Sequence, residues 1–321
     1  MKIKRYKNLD EVSTKKSLRE YMRWRKERKQ KRKDFSCLIE QSPVKQIEFL
    51  QTNMAETTIT WIGHATFFIQ TNGLNILTDP VWSNIKMFSR LTNPGLDLKD
   101  LPPIDIVLIS HSHYDHLDFP TIRQLNSDAL YLVPTGLKKL FTQKGFFRVQ
   151  EYHWWEQATI DEVSFHFVPA QHWTRRTLLD TNSSHWGGWV IHNQALNETI
   201  YFCGDSGYFR GFKEIGRRFD IDIALMPIGA YEPIWFMKEA HMSPEESIQA
   251  YIDLNAKHFV PMHYGTFALA DETPQEAITR LREHWNAFSL PEEQLHILFL
   301  GQTFLLSQQA KPIKKVTEKV L

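Results

Sequence analysis

Short runs of β-branched and aromatic residues recur along this chain, near 58–70, 74–78, 105–110, 130–133, 163–169, 187–193, 199–203, 222–226, 258–262, 296–300 and 303–306. Bounded by Gly, Pro, Asn and Asp, such runs read as strands. Between them, apolar residues at helical spacing predict helices over 120–127, 135–144, 211–218, 243–255 and 274–287. Ser243-Pro244-Glu245-Glu246 carries a start signal, with a serine cap, proline in the first turn and a glutamate completing a capping box. Thr273-Pro274-Gln275-Glu276 repeats it. The order of elements predicts an α/β sandwich with two similar halves. Stretches 79–103 and 171–187 are too long for ordinary connectors and are expected to face substrate. The chain shows no internal repeat or low-complexity segment.

Composition adds little to this picture, and charge adds more. The 42% of apolar residues among 321 suffice for one sizeable core. Cys37 and Cys203 give no reason to expect a disulfide, which fits a reducing compartment. Neither a secretory signal nor a stretch of the ~20 apolar residues needed for a membrane span is visible. The net charge of +1 hides an asymmetry: residues 1–50 carry 16 Lys/Arg against 7 Asp/Glu, the remainder 22 against 30. We therefore divide the chain into a basic N-terminal extension, 1–45, and a domain, 46–321. The basic excess peaks over Arg23–Lys33, behind Leu18, Tyr21 and Met22 at helical spacing. It reads as a solvated arm or as a segment adsorbing to anionic lipid. No nucleic-acid module accompanies it, so nucleic acid is not an expected partner.

The chemistry concentrates in Ser110-His111-Ser112-His113-Tyr114-Asp115-His116-Leu117-Asp118, immediately after the strand-like run 105–109. Neutral imidazole suits zinc, and carboxylate adds oxygen character and negative charge. Four ligands so close cannot easily serve one tetrahedral ion. His111 and His113 can hold one metal, Asp115 and His116 another. Three more candidates end predicted strands: His172 after 165–171, Asp205 after 199–204 and His263 after 258–262. Sheets of this class commonly place their chemistry at that edge. Asp205 could bridge two cations, giving three protein ligands per metal.

The ordered set His111, His113, Asp115, His116, His172, Asp205 and His263 resembles the metallo-β-lactamase superfamily. Trp61-Ile62-Gly63-His64-Ala65-Thr66, Leu77-Thr78-Asp79-Pro80, Leu101-Pro102-Pro103-Ile104-Asp105, Gln171-His172-Trp173, Pro227–Pro233, Trp235–Lys238 and His263–Ala270 resemble one branch of it. That branch is the N-acyl-phosphatidylethanolamine-hydrolysing phospholipase D family, and the resemblance covers roughly residues 45 to 306. It implies a four-layer αβ/βα sandwich, two zinc ions and phosphodiester hydrolysis of the phospholipase D type, with Asp115 and Asp205 holding the dinuclear centre. It also implies a homodimer, substrate contacts from Tyr114 and His241, and a proton supplied by His241 to the leaving group. Its setting would be cytoplasmic, with room for a peripheral position on the inner face of the membrane. His64 is expected to be a buried neighbour of the ligands, Asp79 a structural residue beside them and Asp118 an orienting partner of a ligand histidine.

Arg175 stands where the mammalian-type pattern has lysine, and Leu179 where it has methionine. Those positions concern amphiphile binding at the dimer groove, so the resemblance does not extend there. Arg175 and Arg176 are expected to place positive charge at a phosphate entrance. Val81-Trp82, Met87-Phe88, Leu91 and Trp235-Phe236-Met237 suit an acyl-chain pocket or membrane contact better than a sugar site. They could equally cover the core beneath long loops. The competing function is a hydrolase of the same fold acting on a soluble sugar-phosphate lactone or cyclic phosphodiester.

Overall fold

A computed structural model describes residues 4–31, 33–85, 88–125 and 128–307. Its first sheet runs β13-β1-β2-β3-β4-β5-β6. These strands are β1 (Thr58–Gly63), β2 (Thr66–Thr71), β3 (Leu74–Thr78), β4 (Ile106–Leu108), β5 (Leu130–Pro134), β6 (Val149–Tyr152) and β13 (Thr303–Leu305). The second runs β12-β11-β10-β9-β8-β7. Its strands are β7 (Gln157–Ile160), β8 (Val163–Val168), β9 (Gly188–Asn193), β10 (Glu198–Phe202), β11 (Ile223–Pro227) and β12 (His258–Met262). Each sheet mixes antiparallel pairs with a parallel run, β3–β6 in one and β10–β12 in the other.

Alternation along the strands explains the layers. Ile59, Trp61, Phe67, Ile69, Ile76, Ile106 and Leu108 point into one core with Phe165, Phe167, Val190 and Phe202 from the other sheet. Their neighbours Ile62, Phe68, Leu77, Val107 and Ile109 point the opposite way. There they meet Leu50 of α2 (Ile47–Thr52), Phe119 and Ile122 of α3 (Phe119–Ile122) and Phe141 of α4 (Lys138–Gln143). A period of two thus feeds a sheet-to-sheet core and a sheet-to-helix core. On the far side the second sheet is covered by α5 (Gly211–Arg218), α7 (Pro244–Leu254) and α8 (Pro274–Ala287), through Phe212, Ile215, Ile248, Leu254, Leu281 and Trp285. The result is the αβ/βα sandwich. Among the described residues no helix is long and apolar enough to cross a membrane.

Both expected capping boxes form, Ser243 with Glu246 and Thr273 with Glu276. Three expectations need correction. The run 58–70 is two strands, because Gly63 and His64 both take positive φ and turn the chain. Residues 296–300 form no strand; isolated contacts hold them, the His296 amide donating to the Phe259 carbonyl at 2.9 Å and Leu300 bridging to Gln41. Of the predicted helix 120–127, the described residues form a single turn, Phe119–Ile122, while 126 and 127 lie outside the described residues.

The basic extension is docked. Its helix α1 (Leu18–Gln30) is capped by Ser17 and Glu20 and lies against α6 (Ile234–Met237). Trp24 stacks on Phe236 at 5.1 Å, and Arg23 sits 4.1 Å over the Trp235 ring. Lys16 pairs with Glu239 at 2.7 Å, Arg28 with Asp271 at 3.3 Å and Lys33 with Glu276 at 2.8 Å. The positive arm and the negative domain meet as complementary surfaces.

Candidate metal centre

Every proposed ligand lies at or just beyond a strand end on one edge of the sandwich. β4 delivers His111 to His116, β8 leads to His172, β10 to Asp205 and β12 to His263. Close backbone approach makes this possible. Gly204 has φ +63°, and a Cβ there would stand 2.7 Å from the Ser110 Cβ, so only glycine lets β10 pass the metal loop. His64, Asp79 and His263 also take left-handed conformations. Such strain concentrates at functional sites. The His64 amide donates to Thr266 Oγ1 at 2.8 Å and the His263 amide to the His64 carbonyl at 3.1 Å, locking these turns together.

The side chains converge in two groups. His111 Nε2 and His172 Nε2 lie 2.9 and 3.2 Å from His113 Nδ1. In the other group His116 Nε2 lies 3.2 Å from His263 Nε2 and 3.4 Å from Asp115 Oδ2. Asp205 reaches both. Its Oδ2 is 3.8 Å from His111 Nε2, 3.7 Å from His172 Nε2 and 3.2 Å from His116 Nε2. Its Oδ1 lies 3.0 Å from His263 Nε2 yet makes no hydrogen bond, although it is buried. Imidazole nitrogens turned on one point, and a buried carboxylate oxygen without a donor, fit cations and are costly without them.

Electrostatics agree. Burial and neighbouring histidines push His111 well below its ordinary value. Burial likewise lowers His172 well below its usual range and His113 to about 4, leaving neutral rings able to ligate. Burial opposes ionisation of Asp115 and Asp205, but the adjacent histidines outweigh it and hold both carboxyls well below the usual range. Burial also disfavours charge on His116 and His263, yet the two carboxylates raise His116 well above normal and His263 to about 9. Negative charge exceeds what the neutral ring set can balance. The same carboxylates that raise these rings would favour cations held between them.

The surrounding contacts revise two assignments. Asp79 is the orienting carboxylate: it accepts from His116 Nδ1 at 2.7 Å, from the Ser110 amide at 2.7 Å and from the Ser110 hydroxyl. Asp118 instead caps α3 and accepts from Ser83 Oγ at 2.6 Å, so it orients no ligand. His64 holds Asp115 through Nε2 at 3.0 Å, as a buried neighbour should. His172 Nδ1 donates to the Ala240 carbonyl at 2.9 Å, fixing its tautomer. Asp79→Ala is expected to weaken metal binding about 10- to 100-fold, the usual cost of losing such a partner. Competition against a chromophoric chelator measures it, and unchanged affinity would contradict the orienting role.

His241 stands beside both groups, its Nδ1 3.9 Å from Asp205 Oδ2, and burial lowers it to about 4. It is neutral near pH 7 and suited to hydrogen bonding more than to proton delivery. Tyr114 is at the mouth, but its hydroxyl donates to the Arg176 carbonyl at 3.1 Å. Arg176 is not a free cation: its Nη1 donates to the carbonyls of Ser112 at 2.7 Å and Leu117 at 2.8 Å, bracing the metal loop. Arg175 alone remains exposed there. The expected apolar lining is largely occupied elsewhere. Val81 and Phe88 pack with Ile85 and Phe267, Trp82 and Leu91 are half-buried, α1 covers Trp235 and Phe236, and Met87 lies outside the described residues. The large apolar side chains exposed on the loop after His172 are Leu178 and Leu179, 90% and 78% exposed. Sequence reasoning gave no role to Trp173, whose ring meets His113 edge-on at 4.7 Å.

Residues 74–264 match the β-lactamase superfamily domain model. A Caenorhabditis elegans protein named N-acyl-phosphatidylethanolamine-hydrolyzing phospholipase D 1 is 36% identical over 230 residues, 65% of this chain and 64% of that protein. The match thus spans less than two thirds of that relative's length. A metal-dependent hydrolase from Anoxybacillus flavithermus is 30% identical over 70% of this chain and 92% of its own length. Among solved structures, a possible metal-dependent hydrolase from Veillonella parvula shares the fold, with a TM-score of 0.66 at 19% identity over 78% of this chain and 99% of that one. The ligand edge and these likenesses agree: the chain belongs to the metallo-β-lactamase superfamily, as a metal-dependent hydrolase related to the N-acyl-phosphatidylethanolamine-hydrolysing phospholipases D.

Proposed function

We propose that this protein is a dinuclear zinc phosphodiesterase that hydrolyses N-acyl-phosphatidylethanolamine to N-acylethanolamine and phosphatidic acid. The observation that carries the reading is the single carboxylate, Asp205, within reach of two separate histidine-rich groups, in a chain related to a phospholipase of that name. All-nitrogen and carboxylate donors suit zinc. Metal ions held there would supply Lewis acidity and lower the pKa of water to about 7.

The chain's own residues do the rest. His111, His113 and His172 would hold one metal position, and Asp115, His116 and His263 the other, with Asp205 within reach of both. His241, neutral and 15% exposed at its side chain, offers a hydrogen bond to a head-group oxygen beside Asp205. Water adds its oxygen to phosphorus, the P–O bond to the ethanolamine oxygen breaks, and that alkoxide leaves with a proton drawn ultimately from water. Arg175 gives the mouth a cation for the phosphate, and Leu178 and Leu179 give it apolar contact with acyl chains or a bilayer surface.

Incubation with vesicles containing N-acyl-phosphatidylethanolamine in ¹⁸O-labelled water is expected to release unlabelled N-acylethanolamine and labelled phosphatidic acid. Label in the alcohol would exclude attack at phosphorus. The near full-length match to a hydrolase named only as metal-dependent favours testing soluble substrates in parallel. Cleavage confined to lactones or cyclic phosphodiesters would replace the lipid assignment.

A further inference from the structure

The basic extension reaches the metal centre itself. Tyr6 and Asn8 are buried, although most of the residues around them are exposed. The Asn8 side chain accepts through Oδ1 from the His172 backbone amide at 3.0 Å and from Trp186 Nε1 at 2.9 Å. Its Nδ2 donates to the Val12 carbonyl at 3.1 Å, which fixes the amide's orientation. Tyr6 stacks on the buried His185 ring at 4.5 Å, and its amide donates to the Asn182 carbonyl at 2.9 Å. The extension is therefore threaded against the loop that begins with ligand His172.

A second grip acts from the opposite side. The His172 ring is oriented by Nδ1 donating to the Ala240 carbonyl, in the segment between α6 and α7. The same extension holds that segment through Lys16 to Glu239, and holds α6 just before it through Trp24 on Phe236 and Glu27 accepting from Trp235 Nε1 at 3.1 Å. The Lys16–Glu239 pair is largely sheltered, with side chains 19% and 27% exposed, so solvent screens it less than a surface pair. Gln171 closes the loop by donating from Nε2 to the Glu239 carbonyl at 3.1 Å. Both contacts that set His172, backbone and ring, thus lead to residues 6–27.

We propose that residues 4–31 are a positioning strap for the metal centre, with Asn8 fixing the backbone of His172 and α1 fixing the segment that fixes its ring. The strap is a working part of the hydrolase and not a detachable tail. This rests on the metal-hydrolase reading of the site but not on the identity of the substrate. Asn8 touches no substrate or reacting atom, so its effect must appear in the metal.

The test uses the full chain carrying Asn8→Ala, Asn8→Asp or Lys16→Glu, each loaded with zinc or with cobalt(II). Asn8→Ala is expected to weaken binding of one metal equivalent about 10- to 100-fold, the usual range for a partner just outside the ligand shell. It should also shift the visible cobalt absorption. Asn8→Asp keeps the acceptor for His172 but loses the donor to the Val12 carbonyl, so it should recover only part of the affinity lost in Asn8→Ala. Lys16→Glu sets like charges against Glu239 and should weaken the same equivalent while leaving the other unchanged. If the metal-free Asn8→Ala protein melts lower but binds zinc and cobalt as the wild type does, Asn8 is merely structural and the proposal is overturned. Equal loss from both metal equivalents in Lys16→Glu would overturn it too, because the strap grips one ligand only. These readouts need no substrate, so a failed lipid assay tells against the lipid assignment and not against the strap.

Discussion

Asp205→Asn is expected to reduce turnover by at least ~10²-fold, about 2.7 kcal/mol of transition-state stabilisation. Asparagine keeps the size of the side chain and one carbonyl oxygen, so the packing behind Gly204 should survive. What it removes is the charge that faces His111, His172, His116 and His263 at 3.0 to 3.8 Å. Among the described residues no other carboxylate faces all four of these rings; Asp79 comes near only His111 and His116. Asp115 stays with His64, His116 and His263, and Asp79 is committed to His116 and Ser110. If the centre is dinuclear as proposed, metal content should fall from two ions per chain toward one, read by elemental analysis of protein purified without chelator. The fold should persist, since the sandwich core does not depend on this residue. Near-wild-type turnover with two bound ions would remove Asp205 from the bridging role.

The candidate ligands were more legible in the sequence than the elements that support them. The cluster at 111–116 and the three strand-end ligands are local features: each is a polar side chain directly after an apolar run, and the structure brings all seven together. Asp79 sat in plain view at the end of β3, but its choice of His116 over a structural role depends on pairing between β3 and β4, which no local pattern encodes. Asn8 was invisible for the same reason, its partners His172 and Trp186 being more than 160 residues away. The basic arm shows the limit of charge counting. Its excess was legible, but its partners Glu239, Asp271 and Glu276 lie scattered through the acidic remainder of the chain. Strands β6 and β7 were missed because they sit at the edges of their sheets, where Gln157–Ile160 alternates between exposed and half-buried and carries no apolar run.

Removal of metal is expected to abolish activity and destabilise the protein, and the pH dependence of both effects follows from the site. In the metal-free centre the carboxylates favour protons on His263, raised from 6.5 to about 9, and on His116, raised well above its ordinary value. A group whose value rises on folding contributes stability that is fully present below its unfolded value and is lost as pH passes its folded value. Metal-free protein should therefore lose stability between about pH 6.5 and 9, where the metal-loaded protein, needing no such protons, does not. Each cation that enters must displace those protons, so its apparent affinity should rise about tenfold per pH unit per proton over the same interval. At a free metal concentration 100 times the dissociation constant, binding adds about 2.7 kcal/mol. For a chain of this size that corresponds to a melting shift of about 4 °C. Melting curves with and without chelator at pH 6.5 and pH 9 provide the check, together with zinc titrations at both. The gap between loaded and stripped protein should widen toward pH 9, and re-addition of zinc should restore hydrolysis. A gap that narrows with rising pH would mean that His116 and His263 are not the groups the metals replace.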